Sequence, residues 1–420
     1  MSEDFTSVDN EEQKKRKVSK EEFERRRKEK HKERNRKRVL LAVVIIAALA
    51  LLVSLVALGT GAVSSLMKNA GVKIDVNYVA KTQAVQVNNQ GDVKVFSAGE
   101  NVFVCENHQL ICYNSSAVIL WKESVESFVS PEFISSGEFL IIYDTEGTSA
   151  FAYGAEGKVW EKRFSGKVKN VYINEKNGIG AAVYEDGTYK SSVAVFKAEN
   201  KKVTDLFTKN YASMYVLSCD VSDHGKSLAV SGVSAEEGTL KGIITLINVD
   251  GGESYYTKYT DEYVLPYVSF VSNEKLCAAG SEELAFIENT MKVDSSSAES
   301  AYNVIKKGEG VSKLLAVNTA QGFVVSVFGS GDGGCDVSVC GENGKVISNE
   351  SYDENIIGAV GMGENGAFYS DNKIYFIDGK GKVLCEFDDY SFINDVRFVS
   401  PGRVFVSHGS GYGFVEFVEE

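Results

Sequence analysis

Proline is scarce in this chain, three residues in 420, and there are only two tryptophans and four histidines. Beyond about residue 72 no long segment keeps a 3.6-residue apolar period, which excludes a helical bundle there. Seven cysteines are present, but no Cys-x-x-Cys spacing, so the common zinc and redox motifs are missing. No Gly-x-Ser-x-Gly elbow occurs, and nucleophilic serine catalysis lacks its usual framework. The glycine-rich GSGDGGCD (329–336) has neither the Lys-Ser/Thr of a phosphate loop nor the spaced ligands of a calcium loop. It reads as a hairpin turn, as do the acidic turns YDTEG (143–147), YEDG (184–187) and NVDGG (248–252). The histidines, His31, His108, His224 and His408, are scattered, and no metal or cofactor is expected.

What is present begins with Val39 to Leu58, VLLAVVIIAALALLVSLVAL, twenty residues with no charge. A helix of that length is about 30 Å long, the thickness of a bilayer's hydrocarbon core. A signal peptide's apolar core is usually about 7–15 residues long. The longer run here, after 38 preceding residues, predicts an uncleaved anchor. Residues 1–38 carry 15 Lys+Arg against 10 Asp+Glu, a balance of +5; the remainder carries 30 against 48, or -18. Arg34, Arg36, Lys37 and Arg38 abut the span, and basic residues stay on the cytoplasmic side. The expected orientation is N-terminus inside, with the large domain outside the cytoplasm at the cell membrane.

Residues 14–38 form helix well but have almost no apolar face. Glu22–Arg26 and Glu24–Lys28 stand in the favourable i, i+4 order. The segment suits a solvated helix that can contact anionic lipid heads. It lacks the interleaved aromatics of a nucleic-acid binder, and no nucleic acid is expected. Within the span, Ala47, Ala50, Ser54, Ala57 and Gly61 put small side chains on one face, where a second copy could approach to form a homodimer. Residues 59–71 read as a linker.

From about Val72 short runs rich in Val, Ile, Phe and Tyr alternate with turns of Gly, Asn, Asp and Ser, an all-β pattern. The runs group into units of four strands: 93–122, 132–164, 171–207, 214–259, 268–288, 313–350 and 356–387. Three strands follow, at 393–399, 403–408 and 413–418. Four antiparallel strands per unit at this period predict a β-propeller. The fifth unit has a poorly defined last strand, and its DSSSAES (294–300) reads as a loop. The isolated run Val72–Val79 can complete the last unit, giving eight blades over 72–420 and a ring closed by both chain ends. Closure removes edge strands that would recruit other chains. Seven blades is the second choice, with the fifth unit an insertion. The cysteines (105, 112, 219, 277, 335, 340, 385) read as small buried hydrophobes. Cys105 and Cys112 flank a predicted turn at Asn107-His108, two positions out of register for a bridge.

AYGAEGKVWEKRF (152–164) resembles the repeat of pyrroloquinoline-quinone-type propellers; CYNSSAVILWKES (112–124) and FIDGKGKVLCEF (376–387) are weaker versions. The resemblance implies that Trp121 and Trp160 pack between neighbouring blades. It does not extend to the enzymes' chemistry: neither tryptophan is left for a cofactor floor, and no calcium-binding carboxylate set matches. VSDHGKSLAVSG (221–232) is similar to the first hairpin of WD-repeat and TolB-type blades, with His224 where an Asp is usual. The overall plan resembles uncharacterised single-span envelope proteins of Firmicutes, particularly Clostridia, with exported propeller domains.

A ring with many loops and few titratable clusters suits binding better than acid/base catalysis. The expectation is a non-enzymatic platform for a protein partner in the cell envelope. Tyr255, Tyr256, Tyr259 and Tyr263 cluster on and after an outer strand as a candidate contact surface. The alternatives are a glycan-acting envelope enzyme using blade-turn carboxylates, and a sensor holding a small ligand in the central channel.

Overall fold

The computed structural model describes residues 78–419 apart from the segments 87–92, 126, 200, 236–238, 261–263, 282, 290–301, 307–312, 330–332 and 410. The expected span, the basic segment and the linker lie outside the described residues. Among the described residues no helix is long and apolar enough to cross a membrane.

Asn77–Glu420 forms one compact unit of eight four-stranded antiparallel sheets. Seven sheets are consecutive meanders: blade 1 (94–124), blade 2 (131–163), blade 3 (167–211), blade 4 (214–260), blade 5 (267–306), blade 6 (313–352) and blade 7 (358–387). Blade 8 takes three strands from 393–419 and its fourth from Tyr78–Gln86. First strands of adjacent blades touch one another, including the pair from blades 8 and 1, so the sheets close into a ring with the first strands innermost. The last strands are the most exposed, as along Lys202–Tyr211.

The eight-blade reading holds, with one correction and one addition. The closing strand is Tyr78–Gln86, not Val72–Val79; it pairs along its whole length with Gly411–Glu419. An outer strand has one edge in water and needs little apolar density, so YVAKTQAVQ gave a weaker signal than VKIDVNYV. Blade 5 is a full blade, as the eight-blade reading has it, and its last strand, undefined in the sequence, is Tyr302–Lys306, paired with Glu283–Glu288. The long connection before it separated this strand from its unit.

The core lies between blades rather than within one sheet. Leu140 and Ile142 of blade 2 pack with Phe103 and Leu110 of blade 1, and Trp160 of blade 2 packs with Val171, Ala182 and Phe196 of blade 3. Each such side chain, fully buried, contributes roughly 1.5–3 kcal/mol. Alternating residues therefore face two different neighbours, which explains why most strands are apolar on both sides.

A recurring irregularity shapes the rim. In six blades the outermost strand carries a β-bulge at one equivalent place, at Leu120, Val159, Leu206, Tyr255, Ile347 and Leu384. A bulge sets two residues against one and bends the strand. Of the bulged residues, Leu120, Leu206 and Ile347 are exposed and Val159, Tyr255 and Leu384 half-buried, while Trp121, Phe207 and Tyr256, each next in sequence to a bulged residue, turn inward.

The first-to-second-strand turns are stitched from blade to blade. Asn174 Nδ2 donates to Val221 O (2.9 Å), Asn177 Nδ2 to Ser222 O (3.0 Å) and His224 N to Asn273 Oδ1 (2.9 Å). Gly322 N donates to Val271 O (3.2 Å), and Asn365 Nδ2 to Pro401 O (2.6 Å).

Candidate functional site

Antiparallel order fixes which connections meet. If every first strand starts at one face, the second ends there, the third starts there and the fourth ends there. One face, here called upper, thus collects the links between blades and the second-to-third-strand loops. The lower face collects the remaining turns, and Tyr78 and Glu419, paired ends of two strands, also lie there.

The two faces differ in charge. By sequence, connections ending on the upper face hold 16 Asp+Glu and 3 Lys; those on the lower face hold 12 Asp+Glu and 7 Lys. The upper face also carries large exposed apolar side chains: Val129, Tyr189, Tyr215, Leu217, Leu240, Leu315, Ile357 and Phe392. Leu217 and Leu315 are bulged residues at the start of inner strands, pushed out of register toward solvent.

Two of these positions are held rigidly. Val129 is 79% exposed, yet its N–H donates to Asp144 Oδ2 at 2.9 Å. Asp144 also accepts from Ser130 N and Glu146 N, both at 3.0 Å. Burial would raise the Asp144 pKa, but these three N–H donors outweigh it and hold it below the ordinary value. Phe392 is 72% exposed with φ +58°. A bulky residue in the left-handed region is an outlier, and such strain concentrates at functional sites. Ile393 N donates to Asp371 O at 2.7 Å, fixing the residue that follows.

The tyrosine cluster is divided by the fold. Tyr256 is buried among Leu265 of the following connection and Val268 and Leu276 of blade 5. Tyr255 is half-buried, its hydroxyl meeting Ser227 Oγ (2.9 Å) and Asn289 Oδ1. Tyr259 is exposed near the upper end of its strand, and Tyr263 lies outside the described residues. Ala47, Ala50, Ser54, Ala57 and Gly61 lie outside them too.

Trp121 donates from Nε1 to Gly154 O of blade 2 (3.0 Å), its ring 5.6 Å from Tyr153. Trp160 faces Phe196 of blade 3 at 5.9 Å. Cys112, Cys219, Cys277, Cys335 and Cys340 are buried and unbridged; Cys105 and Cys385 are half-buried. Asn107 and His108 both have positive φ, forming the tight turn between Glu106 and Gln109. His224 Nδ1 meets Ser222 Oγ at 2.9 Å on the lower face, and His408 stacks on Tyr390 at 4.1 Å on the upper. Among the described residues no group of three His, Cys, Asp or Glu is placed to hold a metal.

Between the first strands, Asp220 of blade 4 accepts from Phe270 N of blade 5 at 2.7 Å, and Ser218 accepts from Val268 N at 3.1 Å. These side chains satisfy amides on an inner edge that has no strand partner. Burial raises the Asp220 pKa to about 6 despite its hydrogen bonds from Phe270 N, Ser269 and Val221 N. The exposed strain at Phe392 left no mark in the sequence; Ser-Phe-Ile reads as an ordinary strand start.

The fold is shared with solved WD40-type propellers. Saccharomyces cerevisiae Sqt1 matches with a TM-score of 0.55 at 11% identity, over 79% of this chain and 97% of that one. Chaetomium thermophilum Sqt1, solved bound to the N-terminus of the ribosomal protein L10, matches with 0.52 at 10%, over 79% and 98%. The Neurospora crassa Pan2 WD40 domain matches with 0.44 at 13%, over 69% and 87%. No curated protein matches the chain. Residues 75–406, most of the ring, match a single family, and the chain belongs to it: the family of unknown function DUF5711.

Proposed function

We propose that the chain is a single-pass membrane protein whose propeller stands outside the cytoplasm as a non-enzymatic platform for a protein partner. In this reading 39–58 is the span, 1–38 is cytoplasmic and 14–38 touches anionic lipid heads. The face of Ala47, Ala50, Ser54, Ala57 and Gly61 pairs two copies. The observation that carries the platform is the upper face, where exposed apolar side chains sit on pinned backbone. Rigid presentation lowers the ordering cost of binding. Polypeptide binding has precedent in the fold through the Chaetomium ring bound to a protein N-terminus.

The test is a photo-crosslinking residue placed at position 392 in the native membrane, with one at Leu206 on the outer rim as control. A discrete adduct at 392 and none at 206 is expected. No adduct from 392, 357 or 129 would end the platform reading. Topology has its own test: protease added to intact protoplasts should remove the ring and spare residues 1–38.

A further inference from the structure

Resting on the platform reading, the chemistry of the upper face narrows the partner. Phe392 combines an unfavourable backbone conformation with a large ring in water, and neither helps the isolated ring fold. A Cβ at Gly409 would lie 3.0 Å from the Phe392 Cβ, so the neighbouring loop fits closely under it. Ile357 and Val129 lie on the upper-face connections before blades 7 and 2, either side of it around the ring. The surrounding polar groups have one sign. Asp353, Asp371, Asp388 and Asp389 are exposed on the connections of blades 7 and 8. The one lysine of those connections, Lys373, is engaged by Glu386 at 2.8 Å.

We propose that this arc seats a cationic, apolar polypeptide segment of another protein. Its apolar side chains cover Phe392 and Ile357, and its Lys or Arg side chains meet the surrounding carboxylates. An anionic lipid surface is disfavoured by the same carboxylates, and an acidic peptide would be repelled.

The test uses the full-length protein in digitonin micelles, with empty micelles subtracted. The probe is a labelled twelve-residue peptide alternating Lys with Phe and Leu, followed by fluorescence anisotropy. A Lys–Ser peptide should bind at least tenfold more weakly, and a Glu–Phe/Leu peptide should not bind. Phe392→Gly relieves the backbone, so its melting temperature should hold or rise while affinity falls at least tenfold. Asp388→Asn with Asp389→Asn should leave melting unchanged and weaken binding about tenfold. Parent-like binding by Phe392→Gly, equal binding of the Glu peptide, or retention on anionic vesicles would overturn the proposal. Crosslinking at 392 separates the two readings: an acidic partner captured there sinks the cationic segment and keeps the platform, whereas no adduct anywhere on the face sinks both.

Discussion

Asp144 illustrates how one side chain sets a loop. Its three accepted N–H bonds are charge-assisted, and removing a partner of that kind costs about 1.5–3 kcal/mol. Asp144→Ala should destabilise the ring by roughly 2–3 kcal/mol in urea unfolding and loosen Val129 with it. Its lowered pKa means that this stabilisation is complete above the unfolded carboxyl pKa and is lost as pH falls through the folded one. Asp220 has the opposite sign. With its folded pKa raised to about 6, the native state binds the extra proton between the unfolded value and 6, so stability falls as pH rises across that window. Asp220→Asn should abolish that slope, which urea midpoints at pH 4.5 and 7 will read; an unchanged slope would assign it elsewhere. Lys162 is buried beside Asp205, its ammonium 5.2 and 5.4 Å from the rings of Phe164 and Phe196. Asp205 is largely exposed and can be hydrated alone, so packing should dominate over the ion pair. Lys162→Met should then stay within about 0.5 kcal/mol, while Lys162→Ala costs about 1–2.

At the scale of elements, the bulges decide what faces water. Leu206→Thr should be nearly silent in thermal melting, within about 0.5 kcal/mol, because the bulge already places it outside. Deleting Leu206 leaves Asp205 opposite Phe196 and Phe207 opposite Val195 in an unbroken ladder, with Val203 still in the core it packs against, so it too should cost little, within about 1 kcal/mol. A deletion much worse than the substitution would show that the bend the bulge imposes on the strand is itself needed. Strand existence was legible because apolar runs and Gly/Asn/Asp turns repeat at a regular spacing. Tyr302–Lys306 and Tyr78–Gln86 were harder to read because both are outer strands with little apolar density. The bulges were illegible, because Leu-Trp or Leu-Phe pairs look alike in a straight strand and a bulged one. Phe392 was illegible for a related reason: its strain is set by Gly409 and Asp371, distant in sequence. The split of the tyrosine cluster follows from strand alternation around the Tyr255 bulge, which adjacency in sequence conceals.

For the whole molecule, closure by the first strand is the controlling feature. Removing residues 1–71 should leave a monomeric ring with an unchanged melting temperature. Removing 1–92 deletes the strand that covers Gly411–Glu419 and bares that edge to other chains. The shorter protein should elute as oligomers in size-exclusion chromatography and melt earlier; a monomer of parental stability would mean that seven blades and three strands close by themselves. Closure was legible in the sequence because three strands left over at one end demand a fourth from the other.

The pairing of Tyr78 with Glu419 also dictates timing. The earliest strand to leave the ribosome finds its partner only when the last one has emerged. Seven meanders, each built from neighbours in sequence, can form while the chain is still being made. The seal cannot, so every unfinished copy carries an open seam, and a translation pause or a premature stop anywhere before residue 411 leaves a chain ready to swap its loose first strand into another.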